Sequence, residues 1–196
     1  MRPSITRNRE KKEERNRFRP NQDIESILIQ QRSELRRQRF KRNLIIQAAA
    51  GAAVVLALLL LFGVVRIHGN AMAPNLTEGD LGLVWKGAGS YAAGDIVLCR
   101  LQPRTGIQAL RVVAVPGDVV SIDGGKLFVN GEAPQESYVN SATHTVDLEF
   151  PITLGEKEYF LLGDNRISAV DSRYADVGPI PSSKILGKML FFIRGN

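Results

Sequence analysis

The stretch Val119–Val129, VVSIDGGKLFV, reads as two short β strands joined by a tight turn. Its β-branched residues suit a pleated surface, and the glycines after Asp123, Gly124 and Gly125, supply the positive φ that a hairpin turn needs. Asn130 and Gly131 make a second turn just beyond it. Runs of the same kind lie on either side. Asp95–Leu101 (DIVLCRL) and Leu110–Val115 are bounded by Gly and Pro, and Lys157–Leu162 and Lys188–Arg194 add two more strands. No long amphipathic helix pattern follows residue 66, so the predicted fold class is mainly β, a partly open barrel or folded sheet. Gly87–Gly94 reads as a small-residue loop, and residues 132–156, with Pro134, Pro151 and few apolar pairs, yield no element.

Toward the N-terminus the pattern changes. Leu44–Val65 is 22 residues without a charged side chain and with one amide, Gln47. As a helix it would extend roughly 33 Å, enough to cross a bilayer. Arg36, Arg37, Arg39, Lys41 and Arg42 crowd its N-terminal flank while only Arg66 follows closely on the other side, which places the N-terminus in the cytoplasm. A cleaved secretory signal would have a shorter apolar region nearer the start, so the run is read as an uncleaved signal anchor. The expected organisation is a basic cytoplasmic tail over 1–43, a single transmembrane segment over 44–65, and an extracytoplasmic β domain over 66–196. Within the tail, Met1–Asn21 is polar and basic enough for disorder. Ile24, Ile27, Leu28 and Leu35 recur at helical spacing over Asp23–Asn43, with Asp23 placed to cap that helix. Such a helix could lie on anionic lipid, or the tail could be a solvated leader that only sets orientation; the second reading is the simpler.

Charge is distributed accordingly. The chain carries 26 basic and 20 acidic residues, of which 14 and 6 fall in residues 1–43, leaving a remainder of 12 against 14. A basic tail beside a nearly neutral domain is not the footprint of a nucleic-acid binder, and no recognition motif for nucleic acid accompanies it. No metal or cofactor is expected: Cys99 is the only cysteine, and His68 and His144 lack ligand spacing. Cys99, inside a strand run, reads as a small buried hydrophobe.

Three further stretches carry the functional reading: GNAMAPNL at Gly69–Leu76, LRVVAVPGD at Leu110–Asp118, and GDNRISAVDSR at Gly163–Arg173. In order and spacing they resemble the boxes of type I signal peptidases, and the resemblance covers residues 44–194. In that family a Ser followed by Met, any residue and Pro attacks the scissile carbonyl of an exported preprotein. A Lys in the pattern KRVVGxPGD is the general base, and a Ser in GDNRxxSxDSR orients its ammonium. Here the nucleophile position is Ala71, the general-base position Leu110 and the orienting position Ala169, so no catalytic group is intact. Arg111 cannot replace the base, because a guanidinium stays protonated. Thr77, Ser90, Ser168, Lys86 and Lys184 do not sit at matching positions.

By the same resemblance Gly69, Asn70, Ala71, Met72 and Pro74 would contact substrate, with the Ala71 N–H still able to hold a peptide carbonyl. Arg111, Asp164, Asn165, Arg166, Asp171 and Arg173 would brace the site, Asp171 pairing with Arg173. The expectation is a signal peptidase I fold without its chemistry, resembling the single-span Gram-positive form. Such a protein would be a membrane-anchored binder or assembly factor for exported or surface proteins such as pilins. The alternative is an active signal peptidase that cleaves exported preproteins. Expected partners are an extended polypeptide strand, the lipid bilayer and, as a third candidate, an active signal peptidase from the same cell, with no nucleic acid.

Overall fold

A computed structural model describes residues 20–101 and 106–195. These divide between Val55 and Leu56 into two compact units.

One continuous helix, α1, runs from Pro20 to Leu61. Proline fits a first helical turn, where its missing N–H would have no partner in any case. The tail helix and the apolar run are thus a single element. Asp23, expected as a cap, lies inside it, and the disorder expected for Met1–Asn21 falls, up to Arg19, outside the described residues. Every residue from Ile24 to Leu61 is exposed, and the apolar half reaches a mean hydropathy of 2.6, long and apolar enough to cross a membrane. A helix apolar on all faces needs an apolar solvent. The helix stops at Leu61, four residues before the end of the apolar run expected to span. Phe62, Gly63, Val64 and Val65 instead form a strand, because their backbone pairs with a later one, and the Leu61 carbonyl accepts from the Lys86 N–H at 2.8 Å.

The strands are β1 (Phe62–Arg66), β2 (Leu81–Trp85), β3 (Ile96–Leu101), β4 (Gly106–Ala114), β5 (Val119–Asp123), β6 (Lys126–Val129), β7 (Ile152–Thr153), β8 (Glu158–Leu162), β9 (Ile180–Pro181) and β10 (Ile185–Ile193). They make a seven-stranded sheet in the order β1-β2-β10-β3-β4-β8-β9 and a three-stranded sheet in the order β6-β5-β7. The β5–β6 hairpin turns on Gly124 and Gly125, both at positive φ (54° and 78°), as a two-residue turn of this hand requires. The expected mainly β architecture is present, with β4 and β10 beginning earlier than their apolar patterns suggested and β1, β2, β7 and β9 added.

Three apolar clusters hold this unit together. One contains Val97, Cys99, Leu110, Val112, Leu161 and Ile180; a second, Val113, Val120, Leu127, Phe160 and Leu162; a third, Ile67, Met72, Leu76, Val84, Leu98 and Ala109. Successive residues of a strand point to opposite faces, so β8 serves the first cluster through Leu161 and the second through Phe160 and Leu162.

Two consequences bear on function. Strand β8 pairs β4 only from Arg111 to Ala114, so Gly106–Leu110 has β3 on one side and no described strand on the other. At the far end of the sheet order, β1 is likewise paired, among the described strands, only with β2. Separately, one face of β1, β2 and β10 is apolar and open. The register aligns Val64 with Leu83 and Phe191, and Leu81 with Ile193, while Gly82 and Val84 turn inward. Val64, Phe191 and Ile193 are 75%, 54% and 63% exposed.

Candidate functional site

Ala71, Leu110 and Ala169, far apart in sequence, converge around the end of β8. Leu110 is fully buried in the first cluster, opposite Val97 of β3, and Ala71 packs, half-buried, against that cluster. Ala169 is 1% exposed. Gly163, which follows β8, sits between the other two. A Cβ built on it would overlap the Ala169 methyl and come within 2.5 Å of the Ala71 carbonyl oxygen. Only a residue without a side chain lets the first and third boxes approach this closely. The loop closes with backbone bonds: the Asn165 N–H donates to the Ala71 carbonyl at 3.0 Å, and the Ala169 N–H to the Asn165 carbonyl at 3.0 Å. Asn165 Nδ2 donates to the Asn70 carbonyl at 3.2 Å.

Of the residues expected to contact substrate, Gly69, Asn70 and Pro74 are exposed and Ala71 is half-buried. Met72 is different. At 2% exposure it packs in the third cluster beside Leu76 and Leu98, so its thioether is core and not binding surface.

The polar residues expected to brace the site form three ion pairs. Arg111 lies next to Leu110 on β4 and so points to the other face. It grips Asp164 through Nε to Oδ1 at 2.8 Å and Nη2 to Oδ2 at 2.6 Å, donates from Nη1 to the Gly94 carbonyl at 2.9 Å, and stacks 4.1 Å from the centre of the Tyr138 ring. Burial alone would lower the Arg111 pKa, but the hydrogen bonds and charge of Asp164 outweigh it and the net shift is upward. The guanidinium is thus held charged and cannot take up a proton. Arg166 is buried, donating from Nε to the Gly163 carbonyl at 3.0 Å, from Nη1 to Glu136 and Thr143, and from Nη2 to Glu136 at 2.5 Å. Asp171 accepts from Arg173 Nε at 2.8 Å and Nη2 at 2.9 Å, and from the Gly163 N–H at 3.1 Å. Gly163 is therefore fixed from both sides, its N–H by Asp171 and its carbonyl by Arg166.

Three partners were not legible in the sequence. Glu136 and Thr143 belong to the stretch that yielded no element, and Asn75 Nδ2 donates at 2.8 Å to both Asp164 and the Tyr138 carbonyl. Burial, with the adjacent Glu136 charge, raises the Tyr138 phenol to about 12. The Cys99 thiol is buried and pushed up to about 12 by desolvation, which fits its expected role as an inert hydrophobe. No cluster of three or more metal-ligating side chains occurs among the described residues.

A groove of about 300 Å³ lies along the unpaired edges, lined by Val64, Val65, Arg66, Ile67 and His68 with Leu98, Ile107 and Ala109. Its walls come from β1 and the residues just after it, from β3, and from the part of β4 that β8 leaves free. Ile107 and Ala109 alternate with Gln108 and Leu110, so one face of β4 lines the groove while the other carries Gln108 and Leu110.

The family model for signal peptidase, peptidase S26, matches residues 40–193. The chain is 31% identical over 153 residues to signal peptidase I of Bacillus licheniformis, covering 71% of this chain and 82% of that protein. It is 30% identical over 156 residues to signal peptidase I T of Bacillus subtilis strain 168, covering 71% and 80%. A crystal structure of a signal peptidase I from Enterococcus faecalis V583 aligns with a TM-score of 0.43 at 26% identity, covering 52% of this chain and 98% of that one. With the match spanning the apolar half of α1, the sheet and all three boxes, the chain belongs to the signal peptidase family, peptidase S26.

Proposed function

We propose that this protein is a membrane-anchored signal peptidase homologue that holds exported polypeptides as an extended strand without hydrolysing them. The observation that carries the reading is the environment of Leu110: fully buried among apolar side chains, with the Ala71 methyl packed against the same cluster. Acyl transfer by a Ser–Lys pair needs a hydroxyl to attack and an amine to take its proton, and neither group stands at these positions. Loss of either partner is nearly as final as loss of both, because the two act as a unit. A buried leucine contributes about 1.5–3 kcal/mol of burial, whereas an ammonium there would have to be desolvated. The former catalytic pocket has become core.

Binding does not need the dyad. The free edge of Gly106–Leu110 and the edge strand β1 both offer unpaired backbone groups beside an apolar groove, the setting in which an extended peptide adds as a strand. Exported preproteins are the substrates that family membership implies; pilins and other surface proteins are clients this groove would suit. The same groove would let the protein compete with an active signal peptidase. Gly69, Asn70, Ala71 and Pro74 would border the bound chain, while Arg111, Asp164, Asn165, Arg166, Asp171 and Arg173 keep the wall in place.

The apolar run of α1, residues 44–61, is the membrane anchor, with the basic tail on the cytoplasmic side by the excess of Arg and Lys before it. The β unit is extracytoplasmic, and its open face carrying Val64, Leu81, Trp85, Phe191 and Ile193 is apolar enough to meet lipid.

The test is binding of a labelled preprotein peptide to the detergent-solubilised protein, with mass spectrometry of the bound peptide. Saturable binding of an intact peptide that Ile107→Lys, a charge at an exposed position of the groove, abolishes is the expected result. Failure of any preprotein peptide to bind would remove this reading.

A further inference from the structure

Gln108 presents a side-chain oxygen with no partner. Its Oε1 is buried and makes no hydrogen bond, one of two side-chain atoms of which this is true among the described residues. Other buried acceptors nearby are amply served: Asp164 takes Arg111 and Asn75, and Asp171 takes Arg173 and the Gly163 N–H. An amide oxygen withdrawn from water and left unpaired is costly unless something supplies a donor.

The position of Gln108 says what could supply it. The residue lies in the part of β4 that β8 leaves free, opposite Cys99 of β3 and on the same face as Leu110, two residues away. Its neighbours Ile107 and Ala109 line the groove. A chain adding to the free edge would place one residue directly opposite Gln108, with its Cβ about 4.5–5.5 Å away on the same face, and the residue two positions on opposite Leu110. The first meets an unpaired amide oxygen and the second a buried aliphatic side chain. Cys99 and Leu101 of the neighbouring strand belong to the same apolar cluster, which disfavours a charged donor and leaves a hydroxyl as the smallest group that fits.

We propose that the free edge of β4 selects extended peptides carrying Ser or Thr opposite Gln108, on the face of the strand away from the groove and two residues from the position that faces Leu110. This rests on the strand-binding reading above and adds to it a sequence preference set by one side chain.

The experiment uses the full chain in detergent and a labelled ten-residue peptide of alternating Ala and Val between terminal lysines. Companion peptides replace one Ala at a time by Ser. Fluorescence anisotropy should show one Ser peptide binding about three- to tenfold tighter than the parent, the gain expected for one hydrogen bond. That gain should vanish with Gln108→Leu, and also with Gln108→Met, which keeps the length of the side chain if the first variant folds poorly. Both variants should melt at a higher temperature than the unmodified protein in the absence of peptide, since the unpaired oxygen is gone. The inference is overturned if no Ser peptide gains over the parent, or if the gain survives both substitutions. If the parent and every Ser peptide fail to bind, the strand-binding reading itself fails and takes this inference with it.

Discussion

Replacing Leu110 alone by lysine puts an ammonium into a buried apolar site. The Leu110 side chain is fully buried, packed in an apolar cluster with Val97, Cys99, Val112 and Leu161. Burial without a partner lowers a lysine pKa by about 3–5 units; at 1.36 kcal/mol per unit this costs about 4–5 kcal/mol at pH 7, because a folded lysine that has already lost its proton adds nothing further. That is a large share of the roughly 5–15 kcal/mol that holds a typical domain together. The sign with pH follows from proton counting. The folded lysine binds its proton less readily than the unfolded one, so stability rises with pH until both forms are neutral above about 10.4. Thermal unfolding of the solubilised Leu110→Lys protein should therefore lie at least about 10 °C below the unmodified protein at neutral pH and recover much of that gap near pH 10. Leu110→Met, which conserves volume, should cost under about 1.5 kcal/mol and show no such recovery. A lysine variant that melts with the unmodified protein at neutral pH would refute the dry apolar pocket on which the functional reading stands.

Other expectations concern the walls of the site. Arg111→Met leaves the buried Asp164 carboxylate without its cation and should cost about 3–5 kcal/mol in denaturant unfolding, most of it recovered when Asp164→Leu is added. Gly163→Ala forces a methyl against the Ala71 carbonyl and the Ala169 side chain, and should lower stability by about 1–3 kcal/mol; because one obstacle is backbone, Ala169→Gly should relieve only part of the loss. The Asp80 carboxyl is held below its ordinary 3.8, chiefly by the Thr77 N–H, against burial and with help from the Gly195 N–H. Its stabilising contribution is complete above that value and is lost as pH falls through the lower folded value, so Asp80→Asn should flatten the acid limb of a melting profile below about pH 4.

Much of the fold was legible because its signals are local. The hairpin at Gly124 and Gly125 and the turn at Asn130 and Gly131 are written in residues that tolerate positive φ, and both occur. The end of α1 was not legible, since Phe62–Val65 is as apolar as the helix before it, and only pairing with β2, formed some twenty residues later, turns it into strand. Met72 looked like surface because the motif that contains it borders the site, whereas its burial depends on Leu98 and Met189 from distant strands. The same holds for Arg166, whose partners Glu136 and Thr143 come from a stretch without periodicity. The candidate site could be located from three boxes, but the groove beside it depends on where β8 stops pairing with β4, which no single segment encodes.

The central claim is that the site binds but does not cut. The direct measurement is cleavage of a preprotein by the solubilised protein as it stands, by Ala71→Ser/Leu110→Lys, and by the same variant with Ala169→Ser added. No product from the unmodified protein, and product from the restored forms at temperatures below their lowered melting points, most from the triple variant, is the predicted result. Product at the signal-peptide junction from the unmodified protein would contradict it.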